Sequence, residues 1–142
     1  MDFVCDAPNE KTWFRIVTEA EAAAESRLMG HAVEKHFRQF QDAAAASYAP
    51  PASLPYIERD IGLKDHIRRA MPLFMTLRDA SGRGLATAML PPAGVRQDRF
   101  RCMVVGPSNT DPFPAHGAAI AALAAHFKIV LDSAVCYPYR RG

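Results

Sequence analysis

Residues 18–48 read TEAEAAAESRLMGHAVEKHFRQFQDAAAASY, and the fold turns on how this stretch is read. Thr18 and Glu21 stand at capping-box spacing: the hydroxyl accepts from the Glu21 backbone N–H while the carboxylate reaches back to the Thr18 N–H. Glu19, Glu21 and Glu25 come first and Arg27, Lys35 and Arg38 later, the order that the helix dipole favours. Met29, Val33, Phe37, Phe40 and Ala44 recur at steps of three or four, which draws one apolar stripe for the inner face of a helix. Gly30 interrupts the pattern at a cost of about 1 kcal/mol against alanine. It reads as a close-packing point or a slight bend. Pro50-Pro51 ends the pattern, since proline has no N–H to donate. One helix over 18–48 would be a rod of about 45 Å, longer than a domain of this size is thick. It therefore either breaks near Ala43 or projects toward a partner.

Strand signals flank this helix. Residues 2–6 and 12–17 are rich in apolar and aromatic side chains, and Ala7-Pro8-Asn9-Glu10-Lys11 between them suits a type I turn. Alternation in the second strand sends Phe14 and Ile16 to the core. Trp13 and Arg15 then share the other face and become the interaction candidates, unless a helix end or a loop covers the indole. Residues 49–55 form a linker and 60–70 a short helix with Arg68 and Arg69 in its last turn. Residues 73–78 and 85–90 form the clearest hairpin, around the turn 79–84. A third strand covers 98–105, with Phe100, Cys102 and Val104 on one face and Arg99, Arg101 and Met103 on the other. A second helix follows over about 115–127, then a last strand over 129–133 and a tail. The order β-β-α-α-β-β-β-α-β predicts a single α+β domain over 1–142. In it the helix of 18–48 and the helix of 115–127 pack on a mostly antiparallel sheet of 4–6 strands.

The whole chain has 142 residues and a formal net charge of +2. That charge is too small to argue for nucleic acid by itself. Frequent alanine and arginine suggest a bacterial source. Cys5, Cys102 and Cys136 have no C-x-x-C spacing and read as free thiols in a reducing cytoplasm. Cys5 and Cys136 would become neighbours if terminal strands paired. No secretory leader and no membrane span is expected, and no cofactor.

Two constellations could carry chemistry. His31 and Glu34 stand at helical ligand spacing, but His36 is off that face and Lys35 occupies the place where the H-x-x-E-H pattern needs its second histidine. No metal is expected there. The loop from Gly106 to His116 joins a strand to a helix, beside the strand that holds Arg99 and Arg101. Arg99, Arg101, Ser108, Asn109, Thr110 and His116 are therefore the candidates for a small anionic ligand, with His116 able to act as acid or base. The chain lacks G-x-x-x-x-G-K-[ST], G-x-G-x-x-G and G-x-S-x-G.

The leading expectation is a small non-catalytic bacterial domain that binds a protein partner or a second copy of itself. An anionic-ligand or enzymatic site at the 106–116 loop comes next. Nucleic-acid binding through Arg68, Arg69, Arg83, Arg96, Arg99, Arg101, Arg140 and Arg141 ranks third, because the exposed face of 98–105 lacks an aromatic platform.

Overall fold

The computed structural model describes residues 1–136, so the reading of the tail, including Arg140 and Arg141, lies outside the described residues. The first hairpin joins β1 (Asp2–Ala7) to β2 (Lys11–Arg15). Three helices follow, α1 (Glu19–Met29), α2 (Val33–Ala46) and α3 (Tyr56–Ala70). The chain then returns as β3 (Leu73–Arg78), β4 (Gly84–Leu90) and β5 (Met103–Val105), and ends in α4 (Phe113–Phe127) and the short α5 (Ser133–Cys136). The five strands form one antiparallel sheet in the order β1-β2-β3-β4-β5. The expected α+β class, first hairpin and three-stranded meander are all present.

The sheet is covered on both faces. Trp13, Met75, Leu77, Ala88 and Val104 pack with Ala119, Ile120 and Leu123 of α4. Ile16 and Phe74 pack on the other side with Ala22, Val33 and Phe37 of the first two helices. Residues two apart on a strand share a face, so a sheet covered twice buries every position. The run from Leu73 to Leu77 is buried throughout for this reason. Trp13 is likewise no contact residue: it is 0% exposed, and its Nε1–H donates to the Ala119 carbonyl at 2.8 Å. The expectation of an exposed indole assumed that one face of β2 is wet, and α4 covers that face.

The expected single helix over 18–48 is two. Gly30 takes φ 66 and ψ 42, the left-handed C-cap geometry, and donates its N–H to Ser26 O at 2.9 Å. The break falls here and not near Ala43. Ser26 Oγ accepts from the Glu34 N–H at 2.8 Å, so the end of α1 also caps the start of α2. The capping box at Thr18 and Glu21 is present as read.

Other boundaries move for local reasons. The strand expected over 98–105 keeps only 103–105, and Gln97–Arg99 forms a 3-10 turn. Phe100 leaves the face of Cys102 and Val104 and meets the Phe40 ring at 6.2 Å between centroids. No strand covers 129–133. The Gln97 side-chain amide satisfies both backbone groups of Val130, accepting its N–H at 2.9 Å and donating to its carbonyl. The helix expected over 60–70 starts at Tyr56 but buries no residue, so it leaves little periodic signal. Cys136 lies with Cys102 in the core beneath α4, and burial pushes the Cys102 thiol up to about 11.

Alanine at position 30 would hold a side chain at positive φ with its Cβ 3.2 Å from Ser108 Oγ. G30A is expected to destabilise by about 1–2 kcal/mol. A glycine inside one continuous helix would give the opposite sign, a gain of about 1 kcal/mol, so the shift of a urea midpoint distinguishes the two.

Candidate functional site

The break between α1 and α2 turns His31 toward the sheet. Its Nε2 lies 2.8 Å from Thr87 Oγ1, on the face of β4 beneath the helix pair. Thr87 Oγ1 is 2.6 Å from Glu25 Oε2, and Glu25 is 0% exposed. The other Glu25 oxygen accepts from Arg78 Nη2 at 2.7 Å. Arg78 Nε donates to Thr76 Oγ1 at 3.0 Å, and Thr76 stands opposite Thr87 in the β3–β4 register. A chain Arg78–Glu25–Thr87–His31, buried at Glu25 and Thr87 and half-buried at its ends, therefore joins two strands, α1 and the helix junction.

Proton counting fixes its direction. Glu25 is ion-paired with Arg78, and a carboxylate only accepts. Thr87 has one hydroxyl proton and gives it to Glu25. The Thr87 oxygen must then accept from His31 Nε2–H, which leaves Nδ1 as the acceptor of a neutral ring. The Val33 N–H approaches Nδ1 at 3.4 Å. Burial holds the His31 pKa below its ordinary value, against the opposing charge of Glu25.

Beside His31 lies a cavity of about 220 Å³. Phe74, Met89, Met103 and Val105 form its sheet wall, His31, Val33 and the exposed His36 its helix wall, and Asn109 comes from the loop after β5. That loop is tied by Gly106 N–H donating to Thr110 O at 2.8 Å. It contains two successive left-handed residues, Ser108 at φ 55 and Asn109 at φ 59. Asparagine tolerates that region, but serine there is strained by about 1–3 kcal/mol. The strained pair sits against Gly30 and delivers Asn109 to the cavity.

The structure does not assemble the site expected at the 106–116 loop. Met103 pairs with Met89 and Val105 with Thr87, so Arg99 and Arg101 precede β5 while the loop follows it. His116 is in the first turn of α4, with Nδ1 3.0 Å from Lys11 Nζ. The Gln97–Val130 bonds lie past the far end of that helix, about 16 Å away at 1.5 Å per residue. The arginines and His116 thus stand at opposite ends of the fold. Ser108 and Thr110 are exposed, and of the six candidates only Asn109 lines the cavity.

The other candidates also go to separate places. Arg15 is half-buried and donates to Arg68 O at 2.9 Å. Glu34 accepts from Arg38 at 2.9 Å, away from His31. Among the described residues no three His, Cys, Asp or Glu side chains gather as a metal site. Arg68, Arg69 and Arg96 pair with Asp2, Asp65 and Asp98, so they form no bare basic platform.

Sequence reading missed Glu25, Arg78 and Thr87. One signal was present: Glu25 follows Ala22 by three and precedes Met29 by four, so it lies on the apolar stripe. A carboxylate there needs a buried partner. Thr76 and Thr87 were the matching polar interruptions in two apolar strands. Comparison with known proteins finds no matching family model, curated protein or solved structure.

T87V keeps the shape but strands a carboxylate oxygen and the His31 N–H. It is expected to cost about 1–3 kcal/mol, while T87S keeps the hydroxyl and most of the stability; chemical denaturation of both variants checks this. The lowered His31 pKa adds stability that is full above about pH 6.5 and is lost as pH falls through the folded value. His116, lowered by burial and by Lys11, adds the same sign. Thermal unfolding between about pH 7.5 and about pH 5.5 is expected to show this slope, and H31Q to flatten it without abolishing it.

Proposed function

We propose that the chain is a small-molecule-binding domain whose ligand occupies the cavity between the α1–α2 junction and the sheet. The hydrogen-bonded chain from Arg78 to His31, which ends on the cavity wall, carries this reading. A buried ion pair costs desolvation and stabilises less than apolar packing of the same volume. Here it fixes the tautomer and orientation of one imidazole in a mostly apolar wall. Small-molecule sites combine an apolar lining with a few placed polar groups in this way.

The cavity bounds the ligand. An apolar cavity of about 150 Å³ takes benzene, so about 220 Å³ suits a one- or two-ring molecule or its aliphatic equivalent. Asn109 supplies a polar contact for one hydroxyl, carbonyl or ring nitrogen, while His31, its Nε2–H given to Thr87, offers only the Nδ1 acceptor. The Thr87 proton is committed to Glu25, so no activated nucleophile faces the ligand, and the role is binding and not catalysis.

Phenol and indole are suitable probes. Either is expected to shift the methyl resonances of Met89 and Met103 in a saturable way, and M103W, which fills the cavity, to abolish the shift. Shifts that survive M103W, or no shift with either probe, would remove this reading.

A second reading keeps the protein partner or second copy. It rests on α3, where Tyr56, Ile57 and Ile61 are 82%, 70% and 62% exposed on a helix with no fully buried residue. Light scattering over a dilution series is expected to show dissociation that I57E moves to higher concentration. A strict monomer throughout would remove self-association.

A further inference from the structure

A second cavity, of about 300 Å³, lies between the end of β2, α2 and α3. Phe37, Ile67 and Met71 supply apolar walls, and Arg15, Lys64 and Arg68 supply three cations. Asp2 answers Arg68, and Asp60 answers Lys64 at 3.1 Å. Arg15 has no ion-pair partner among the described residues. Its Nη2 is tied to the Arg68 carbonyl at 2.9 Å, which fixes the guanidinium. Its Nε is buried and makes no hydrogen bond, alone among the buried side-chain nitrogens and oxygens of the described residues.

Buried donors are almost always satisfied, so an orphan invites a missing partner. Burial and the neighbouring Arg68 push the Arg15 pKa down, and the cross-strand Asp2 carboxylate, already paired with Arg68, offsets them only in part. An acceptor that carries one negative charge would answer both deficits. The apolar walls favour a compact hydrocarbon body on that acceptor. A free phosphate has no hydrocarbon body to set against the apolar walls of Phe37, Ile67 and Met71.

We infer that this cavity binds a small organic monocarboxylate, with its carboxylate on Arg15 and its apolar body against Phe37, Ile67 and Met71. Lys64 and Arg68, both exposed, add attraction at the entrance. This site is separate from the one beside His31 and takes a charged ligand where that one takes a neutral one.

The test is a titration of the whole chain with benzoate, followed on the arginine Nε–Hε and methionine methyl resonances. The Arg15 Nε–Hε peak and the Met71 methyl are expected to move together and saturate. Benzyl alcohol and inorganic phosphate are expected to leave both in place. R15M is expected to weaken benzoate at least about tenfold, the worth of a charged hydrogen bond. The Arg15 peak reads the same contact in the unmutated chain, so the result stands even if R15M fails to fold. A still Arg15 peak under benzoate overturns the inference. Equal response to benzyl alcohol or to phosphate overturns it too, the latter marking a free-phosphate site. Movement of Met89 and Met103 in place of Met71 would place benzoate in the other cavity and also overturn it.

Discussion

The Glu25 carboxylate is the constraint on which the helical layer depends. It is fully buried, and it binds Arg78 at the end of β3 and Thr87 in the middle of β4. Removing one partner of a buried pair costs about 3–5 kcal/mol, because the other charge is left uncompensated. That penalty fixes the rotation of α1 on the sheet, since only one rotation aims Glu25 at both partners. With α1 fixed, its end at Gly30 reaches β4 closely enough that Met29 and Leu28 lie against Gly84, where a Cβ would come within 2.7 Å of the Met29 sulfur. The turn at Gly30 then drops His31 onto Thr87 and starts α2 over Phe74. The cavity beside His31 is what remains between a helix pair held by polar bonds and a sheet that offers Met89, Met103 and Val105.

Much of this was legible where local chemistry decides structure. The capping box at Thr18 and Glu21, the hairpin of 73–90 and the apolar face of α4 follow from residues within a few positions of one another. The α+β class follows from strand runs separated by helix runs. The reading failed where distant segments decide. The alternation in β2 placed Trp13 and Ile16 on opposite faces, as they are, but could not reveal that α4 buries the first. The apolar stripe continued through Gly30 because Met29 and Val33 keep their spacing while the backbone between them turns. Residues 129–133 have strand composition, yet the Val130 backbone groups are taken by a glutamine side chain more than thirty positions away.

The candidate site was less legible than the fold, for an electrostatic reason. Arginine and histidine beside a polar loop resemble an anion site when nothing else is known. The side chains that hold His31 on the cavity wall are a carboxylate on an apolar stripe and a threonine in an apolar strand, with a second threonine behind them on Arg78. Each is an isolated exception in its own element. They become a site only when the β3–β4 register sets Thr76 opposite Thr87 and the helix lays Glu25 across them. Polar interruptions of buried faces were therefore better pointers than exposed charge, because burial must be compensated while surface charge need not be.

The two cavities share one wall. Val33 and His36 of α2 face the first, and Phe37 and Gln41, within the next turn and a half, face the second. Between them the Phe37 and Phe74 rings stack at 5.2 Å in a tilted pair, which Phe40 extends. This aromatic partition gives each cavity an apolar back and keeps their polar groups apart: an imidazole fixed by a carboxylate on one side, a guanidinium short of a counter-ion on the other. The difference in ligand charge follows from that division. Burial lowers the His31 pKa against the pull of Glu25, while the Arg15 guanidinium is tied to the Arg68 carbonyl and shares Asp2 with Arg68. If both proposed sites are occupied, one face of one sheet keeps a neutral ligand and an anion apart, as the placement of Glu25 and Asp2 dictates.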